Sequence, residues 1–468
     1  MNHATAVACL TLAIAGGIGS ARAATAVPAN VPGFTYVRTV GAISEYTLDS
    51  NGLTVLLMPE HSAPVATFMV TYRVGSRNEV TGTTGATHLL EHLMFKGTPT
   101  YNDAKGNSVK QYLETVGGMY NATTWLDRTN YYAVVPKEAL EGYMAIEADR
   151  MRNLWLREED RQREMTVVRN EYEQGENDPQ ESLDKEINAA AFVAHPYHHS
   201  TIGWLSDIEN VPIEKLRAFY DTFYWPDNAT VSVIGDFEPA QALALVKKYY
   251  GVYPRSPAPI PALYTVEPEQ RGARRVTVER VGEIGMVGIA YKSPTGRDAD
   301  YAALDVLGSI LGSGKTSRFY RGLTDKNLAL NVYANAGFFH DPSLFQVYAM
   351  VAPGVEHAEV ERVLIEEIER VIKDGVTDAE VATALGKYQA ATAYGRDGSF
   401  AIASNLNEAI AAGDWTLYYT LEETMPKVTA ADVKRVANQY LDAERSTTGW
   451  FIPLPAAESA PPAAAANK

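Results

Sequence analysis

The sequence predicts an α+β protein made of two related halves. Three features carry that expectation: a strand–strand–turn–helix opening that occurs twice, a proline-rich stretch between the copies, and mixed runs of strands and helices in place of strict βαβ alternation. The 468 residues leave room for several domains at roughly 100–200 residues each. With 46% apolar and 21% charged residues the chain can bury a sizeable core, which excludes a disordered polypeptide. A net charge of −16 repels phosphate backbones, so no nucleic-acid partner is expected. The single cysteine, Cys9, rules out an internal disulfide and any cysteine-rich zinc site, so a metal would have to be held by histidine and carboxylate.

Taken in chain order, residues 5–19 form an apolar run followed by Ser20-Ala21-Arg22-Ala23, the pattern of a secretory signal covering residues 1–23. The run is too short and glycine-rich to span a hydrocarbon core of about 30 Å, and no later stretch reaches ~18 apolar residues, so no membrane span is expected. The first half, residues 24–252, opens with strands at 52–58 and 66–74, then a turn and a helix. Residues 253–272 carry five prolines without helical or strand period and read as an extended linker. The second half, residues 273–453, repeats the opening with strands at 276–281 and 285–291. Tyr72 and Tyr291 lie in matching strands, followed by Gly-Ser-Arg-Asn and Thr-Gly-Arg-Asp, which points to an internal duplication. Residues 454–468 are Ala/Pro-rich and are expected to form a disordered tail.

The helix after the second strand lies in TGTTGATHLLEHLMFKGTP, with threonines available to cap its start and Gly97 and Pro99 to end it. His88 and His92, four residues apart, fall about 40° apart on one face, where two imidazoles can reach one metal ion. Glu91 flanks that face, and the order H-x-x-E-H is the inverted zincin motif. Alone, the pentapeptide also describes an amphipathic helix with satisfied histidines. A second helix, in residues 156–174, places Glu164, Val167, Val168 and Glu171 on one stripe, so two carboxylates share an apolar face. A buried carboxylate needs a cation or a proton, and zinc with two histidines still lacks one protein ligand. Glu171 can supply it, with Glu164 supporting from behind. The competing reading makes both ordinary members of an acidic, solvated helix.

These motifs, GATHLLEHLMFKGT, GGMYNATTWLDRTNYY (117–132), REMTVVRNEYEQ and HPYHHSTIGW (195–204), occur in order along a chain that resembles the inverzincin metallopeptidases. That family includes pitrilysin, insulin-degrading enzyme and mitochondrial processing peptidase. The resemblance implies two domains, each a mixed, largely antiparallel sheet with helices packed on one face. It implies one Zn2+ per chain held by His88, His92 and Glu171, with Glu91 as general base and Glu164 as a supporting carboxylate. It further implies that Asn121 and Ala122 lie on an exposed edge strand to which a peptide substrate adds its backbone. The expected activity is that of a secreted, periplasmic zinc metalloendopeptidase acting on small proteins or peptides through a zinc-activated water.

One departure bears on partners. In active relatives the second type of half supplies an Arg and, seven residues on, a Tyr, both directed at the substrate carbonyl. The matching stretch here, SRFYRGLTDKNLALNVYANAG, reads Leu323 or Thr324 and Leu330 at those places, and Arg318, Tyr320, Arg321 and Tyr333 do not give the spacing. A heterodimer with a paralogous chain that supplies the pair is therefore expected, with a homodimer as the other arrangement and a weakly active or silent subunit as the alternative function. Two further patterns are set aside. Gly312-Ser313-Gly314-Lys315-Thr316 lacks the first P-loop glycine, since residue 309 is serine, and follows a helical period in place of a strand. His195, His198 and His199 are tightly clustered, but Pro196 argues against a preorganised second metal site.

Overall fold

A computed structural model describes residues 30–455; the expected signal, and the expected tail beyond Pro455, lie outside the described residues. The first half forms a seven-stranded sheet from β1 (Phe34–Val40), β2 (Ile43–Leu48), β3 (Thr54–Pro59), β4 (Val65–Tyr72), β5 (Met119–Thr124), β6 (Thr129–Pro136) and β7 (Ala229–Gly235). Its order is β1-β2-β3-β7-β4-β6-β5. The second half forms a five-stranded sheet, β10-β11-β9-β12-β8, from β8 (Arg274–Val281), β9 (Met286–Ser293), β10 (Ala329–Ala336), β11 (Ser343–Val351) and β12 (Ser446–Leu454). In each half the last strand inserts into the sheet, parallel to the first strand of the repeat and antiparallel to the second: β7 between β3 and β4, β12 between β8 and β9. The series β3-β7-β4-β6-β5 thus repeats as β8-β12-β9-β11-β10, and the β1–β2 hairpin is the addition that distinguishes the first half. β12 runs one residue into the expected tail, to Leu454, which pairs with Val281. Pro453 is tolerated there because pairing with β9 has ended at Phe451, so its missing N–H faces no neighbour on that side.

The central strands VATFMVTY (β4) and ATVSVIG (β7) are buried almost throughout, as strands covered on both faces must be. One face of the first sheet packs on the half's own helices: α1 (Ala86–Leu93), α2 (Val109–Val116), α3 (Leu140–Arg152), α4 (Glu158–Asn177), then, after α5 (Pro179–Ala191) and α6 (Leu205–Asn210), α7 (Ile213–Phe223) and α8 (Pro239–Tyr250). The second sheet likewise packs on α9 (Tyr301–Gly312), α10 (His357–Asp374), α11 (Asp378–Tyr394) and, beyond α12 (Ser399–Ala411) and α13 (Leu417–Thr424), α14 (Ala430–Tyr440). The remaining faces are covered by exchange. α5 of the first half lays Leu183 and Ile187 on Val278, Met286 and Ala290 of the second sheet, and α12 of the second half lays Ile402, Leu406 and Ile410 on Ile43, Leu56, Met69 and Ile234 of the first. Between Tyr250 and Arg274 the chain has no helix or strand, but it is pinned: Glu267 accepts backbone hydrogen bonds from Val193, Ala194 and His195. No helix among the described residues is long and apolar enough to cross a membrane.

Candidate metal centre

α1 begins at Gly85, whose backbone is left-handed (φ +81°), and not at a threonine cap as the sequence suggested. A threonine could not replace it, since a Cβ there would sit 2.3 Å from the Ile202 carbonyl oxygen. The cap comes instead from the buried Glu79, whose carboxylate accepts the backbone N–H groups of Gly85 (2.8 Å) and Thr87 (2.7 Å). Burial pushes the Glu79 carboxyl up to about 8 against the pull of those hydrogen bonds. Thr84 turns away to donate to Asp207. Leu89, Leu90 and Leu93 drive one side of α1 into the core, which leaves His88, Glu91 and His92 on the other. The helix tightens into a 3₁₀ turn at Met94–Lys96 and stops at Gly97 (φ +97°).

The His88 and His92 rings lie 4.9 Å apart at 82°. α4 brings Glu171 to them from residues far along the chain: its Oε2 is 3.7 Å from His88 Nε2 and 3.5 Å from His92 Nε2. One ligand atom from each residue falls within 4.8 Å of the other two, the only such His/carboxylate group of three among the described residues. Glu164, two turns earlier on the same helix stripe, meets His92 Nδ1 at 3.2 Å and receives Lys96 Nζ at 2.5 Å on its other oxygen. Val167 is the exception to the expected stripe. It is 43% exposed, because α4 meets α1 along a narrow band through Glu164 and Val168, and Val167 stands about 60° outside Glu164.

The donor set suits zinc. Burial and the neighbouring His92 push the His88 pKa down to about 4, so its ring is neutral at ordinary pH and offers a lone pair. Burial also works against charge on His92, but Glu164, Glu171 and Glu91 outweigh it and raise its pKa. With Nδ1 facing Glu164, His92 turns Nε2 toward Glu171, the orientation a carboxylate behind a metal-binding histidine imposes. Two imidazole nitrogens and one carboxylate oxygen, with a fourth position open, form a donor set of the catalytic-zinc kind. Glu91 sits beside it; burial raises its pKa, opposed by a 2.5 Å hydrogen bond from Thr124 Oγ1.

Thr124 ends β5, which among the described residues has β6 as its only neighbour, so its other backbone edge is free of strand pairing there. Asn121 and Ala122 lie mid-strand, Asn121 exposed and Ala122 with its side chain buried. A cavity of about 700 Å³ runs from His88, Thr124 and Glu171 of the first half to Phe339, Leu344 and Gln346 of the second. Leu323 is fully buried and Leu330 half-exposed. Of the nearby candidates for an Arg/Tyr pair, Arg318 grips both oxygens of Glu380, Arg321 comes within 3.7 Å of the same carboxylate with its side chain half-exposed, and Tyr333 stacks on Tyr348. His195 bonds Asp341 of the second half through Nε2 and accepts Tyr197 N–H through Nδ1, while His199 bonds the Ser200 carbonyl. Gly312-Ser313-Gly314 follows α9, a helix, which removes the phosphate-loop context. Sequence reasoning missed Lys96, Thr124 and Glu79. Lys96 had a signal, four residues after His92 on the same helical face; Glu79 and Thr124 reach the site only through the fold.

The family model described as Insulinase (Peptidase family M16) matches residues 54–203, and that described as Peptidase M16 inactive domain matches residues 210–388. A Helicobacter pylori protein named Zinc protease PqqE is 31% identical over 408 residues, 86% of this chain and 91% of its own. The chain belongs to peptidase family M16. Among other M16 relatives, an Arabidopsis thaliana protein named probable mitochondrial-processing peptidase subunit beta is 26% identical, covering 84% of this chain and 75% of that one. The crystal structure of a protease from Helicobacter pylori superposes with a TM-score of 0.83 at 30% identity, over 90% of this M16 chain and 100% of that chain.

Proposed function

We propose that this chain is a zinc-dependent metalloendopeptidase that hydrolyses peptide bonds of small proteins or peptides. The observation that carries the reading is the convergence of His88, His92 and Glu171 within 4.8 Å, with Glu91 alongside. Those three residues would hold one Zn2+ per chain, and the names of the zinc-protease relatives support that metal. Zinc, when bound, supplies a Lewis acid that acidifies water and polarises a carbonyl. Glu91 takes the proton of the attacking water and returns it to the leaving amine. Its burial raises the pKa toward the range where one carboxyl can do both. Thr124 occupies Oε2, which fixes the carboxyl plane. The substrate backbone lies along β5 at Asn121 and Ala122 as an added strand, which suits an edge with one neighbour.

Residues 5–23 support export to the periplasm. Leu323, Thr324 and Leu330, where an Arg/Tyr pair is expected, support a second reading: a weakly active or silent subunit that needs a paralogous chain. Glu91→Gln tests the first. The variant should keep zinc near one per chain while hydrolysis of a fluorogenic peptide falls by about 10²–10⁴-fold. Undiminished hydrolysis, or hydrolysis that survives a chelator, would remove Glu91 or the metal from the reaction.

A further inference from the structure

α4 carries Glu171 on a stretch that the core holds only through the partly buried Tyr172. The last fully buried side chain of the helix is Val168, and Glu171 lies beyond it with its side chain 41% exposed. Apart from the two imidazoles, no described hydrogen bond or ion pair fixes its carboxylate. What fixes that end of α4 stands five residues, or about 7.5 Å, further on. There Glu176 is gripped on one oxygen by Lys185 of α5 and on the other by Arg280 of β8, the outer strand of the second sheet. Glu176 is largely buried (16% exposed), as is Lys185 (11%), so that pair is shielded from water and salt more than a surface bridge is, while Arg280 reaches Glu176 from a part-exposed position (38%). Lys185 also packs over the Tyr172 ring, next to Glu171 in sequence. α5 in turn is seated on the second sheet by Leu183 and Ile187.

We propose that Arg280 is a positioning residue for the metal centre: from the second half it holds Glu176, and through it the turn of α4 that presents Glu171 to His88 and His92. The half without the H-x-x-E-H motif thereby sets the reach of the third ligand. This rests on the zinc reading above, and the test separates the two.

Zinc affinity is measured by competition with a chelating dye on the full-length chain, for the wild type and for Arg280→Met, Arg280→Lys and Glu176→Gln. Arg280→Met and Glu176→Gln should each weaken zinc binding by about tenfold, the lower end of what losing an outer partner of a ligand does. Arg280→Lys should recover part of that loss, because a cation still reaches Glu176. In a Glu171→Ala background, where only the histidines remain, Arg280→Met should have no further effect. Unchanged zinc affinity in Arg280→Met and Glu176→Gln, or an equal tenfold loss in the Glu171→Ala background, overturns the proposal. If Glu171→Ala itself leaves affinity unchanged, the zinc reading fails, whatever Arg280 does. Should Arg280→Met not fold, Glu176→Gln, which keeps size and shape, carries the test.

Discussion

At the scale of single residues, the site is a chain of oriented charges: Lys96 on Glu164, Glu164 on His92, His92 facing Glu171. A buried carboxylate left without its cation either takes a proton or swings toward water, and either change releases the ring it orients. Lys96→Met should therefore weaken zinc binding by about 10-fold, while Lys96→Arg, which keeps the charge, should stay near wild type. Glu171→Gln, which takes the charge from the carboxylate, and His88→Ala, which removes the ring, act on the proposed ligands themselves and should cost more than Lys96→Met. A dye-competition titration of the four variants checks the ranking, and equal affinity in Lys96→Met and wild type would show that Glu164 holds its place unaided. The candidate ligands His88, His92 and Glu171 were named from the sequence because helical spacing puts His88 beside His92 and sets Glu164 and Glu171 on one stripe two turns apart; that the two helices meet is a matter of the fold. Glu79 was not, because a carboxylate that caps a helix across a loop leaves no periodic trace.

At the scale of elements, the exchange of α5 and α12 depends on glycine as much as on apolar side chains. A Cβ on Gly449 would meet Ile187 and Leu183 at 2.8 Å, and one on Gly288 would meet Ile187 at 2.7 Å, so the second sheet is smooth where α5 lies on it. Residues 179–191 form an amphipathic helix, with Leu183, Ile187 and Ala191 one turn apart. Periodicity states that a helix has a buried face and is silent on which sheet buries it, so the crossing was not legible. The strands at 52–58, 66–74, 276–281 and 285–291 were, since apolar runs bounded by turns need no partner to be recognised. The α5 interface also contains an acid. Asp184 bonds Tyr348 and Gln346 of β11, and burial pushes its carboxyl up to about 7, with Gln346 pulling the other way. The folded chain then keeps a proton that the unfolded chain releases above about pH 4, so stability from this group is full at low pH and is lost as pH rises toward 7. Asp184→Asn stays neutral throughout. Urea unfolding in chelator should find the variant close to wild type at pH 4.5 and about 1–3 kcal/mol more stable than wild type at pH 8. A difference that does not change with pH would mean that Asp184 is ionised in the fold.

At the scale of the whole molecule, the two halves share a topology and divide the work. The first holds the His88/His92/Glu171 group; the second covers the back of α5, closes the far wall of the 700 Å³ cavity and grips α4 through Arg280. At the positions where the pair is expected the second half offers no Arg and no Tyr for the developing carbonyl oxygen. Leu323 is packed in the core, Leu330 is half-exposed on the edge strand β10, Arg318 is committed to Glu380 and Tyr333 to Tyr348. Freeing Arg318 would strand a carboxylate that also caps α11 through Thr377, and Arg321, half-exposed, has Leu328 and not a Tyr seven residues on. A donor aimed at such an oxyanion is worth about 10²–10³ in rate. The chain alone should therefore bind zinc fully yet turn over peptides slowly, and a paralogous chain carrying the Arg/Tyr pair should raise kcat by about that factor without changing zinc content. Peptidase assays on the purified chain, before and after adding the co-purifying partner from the native source, decide the matter: full turnover by the lone chain would mean that its own residues stabilise the oxyanion by a route other than the missing pair.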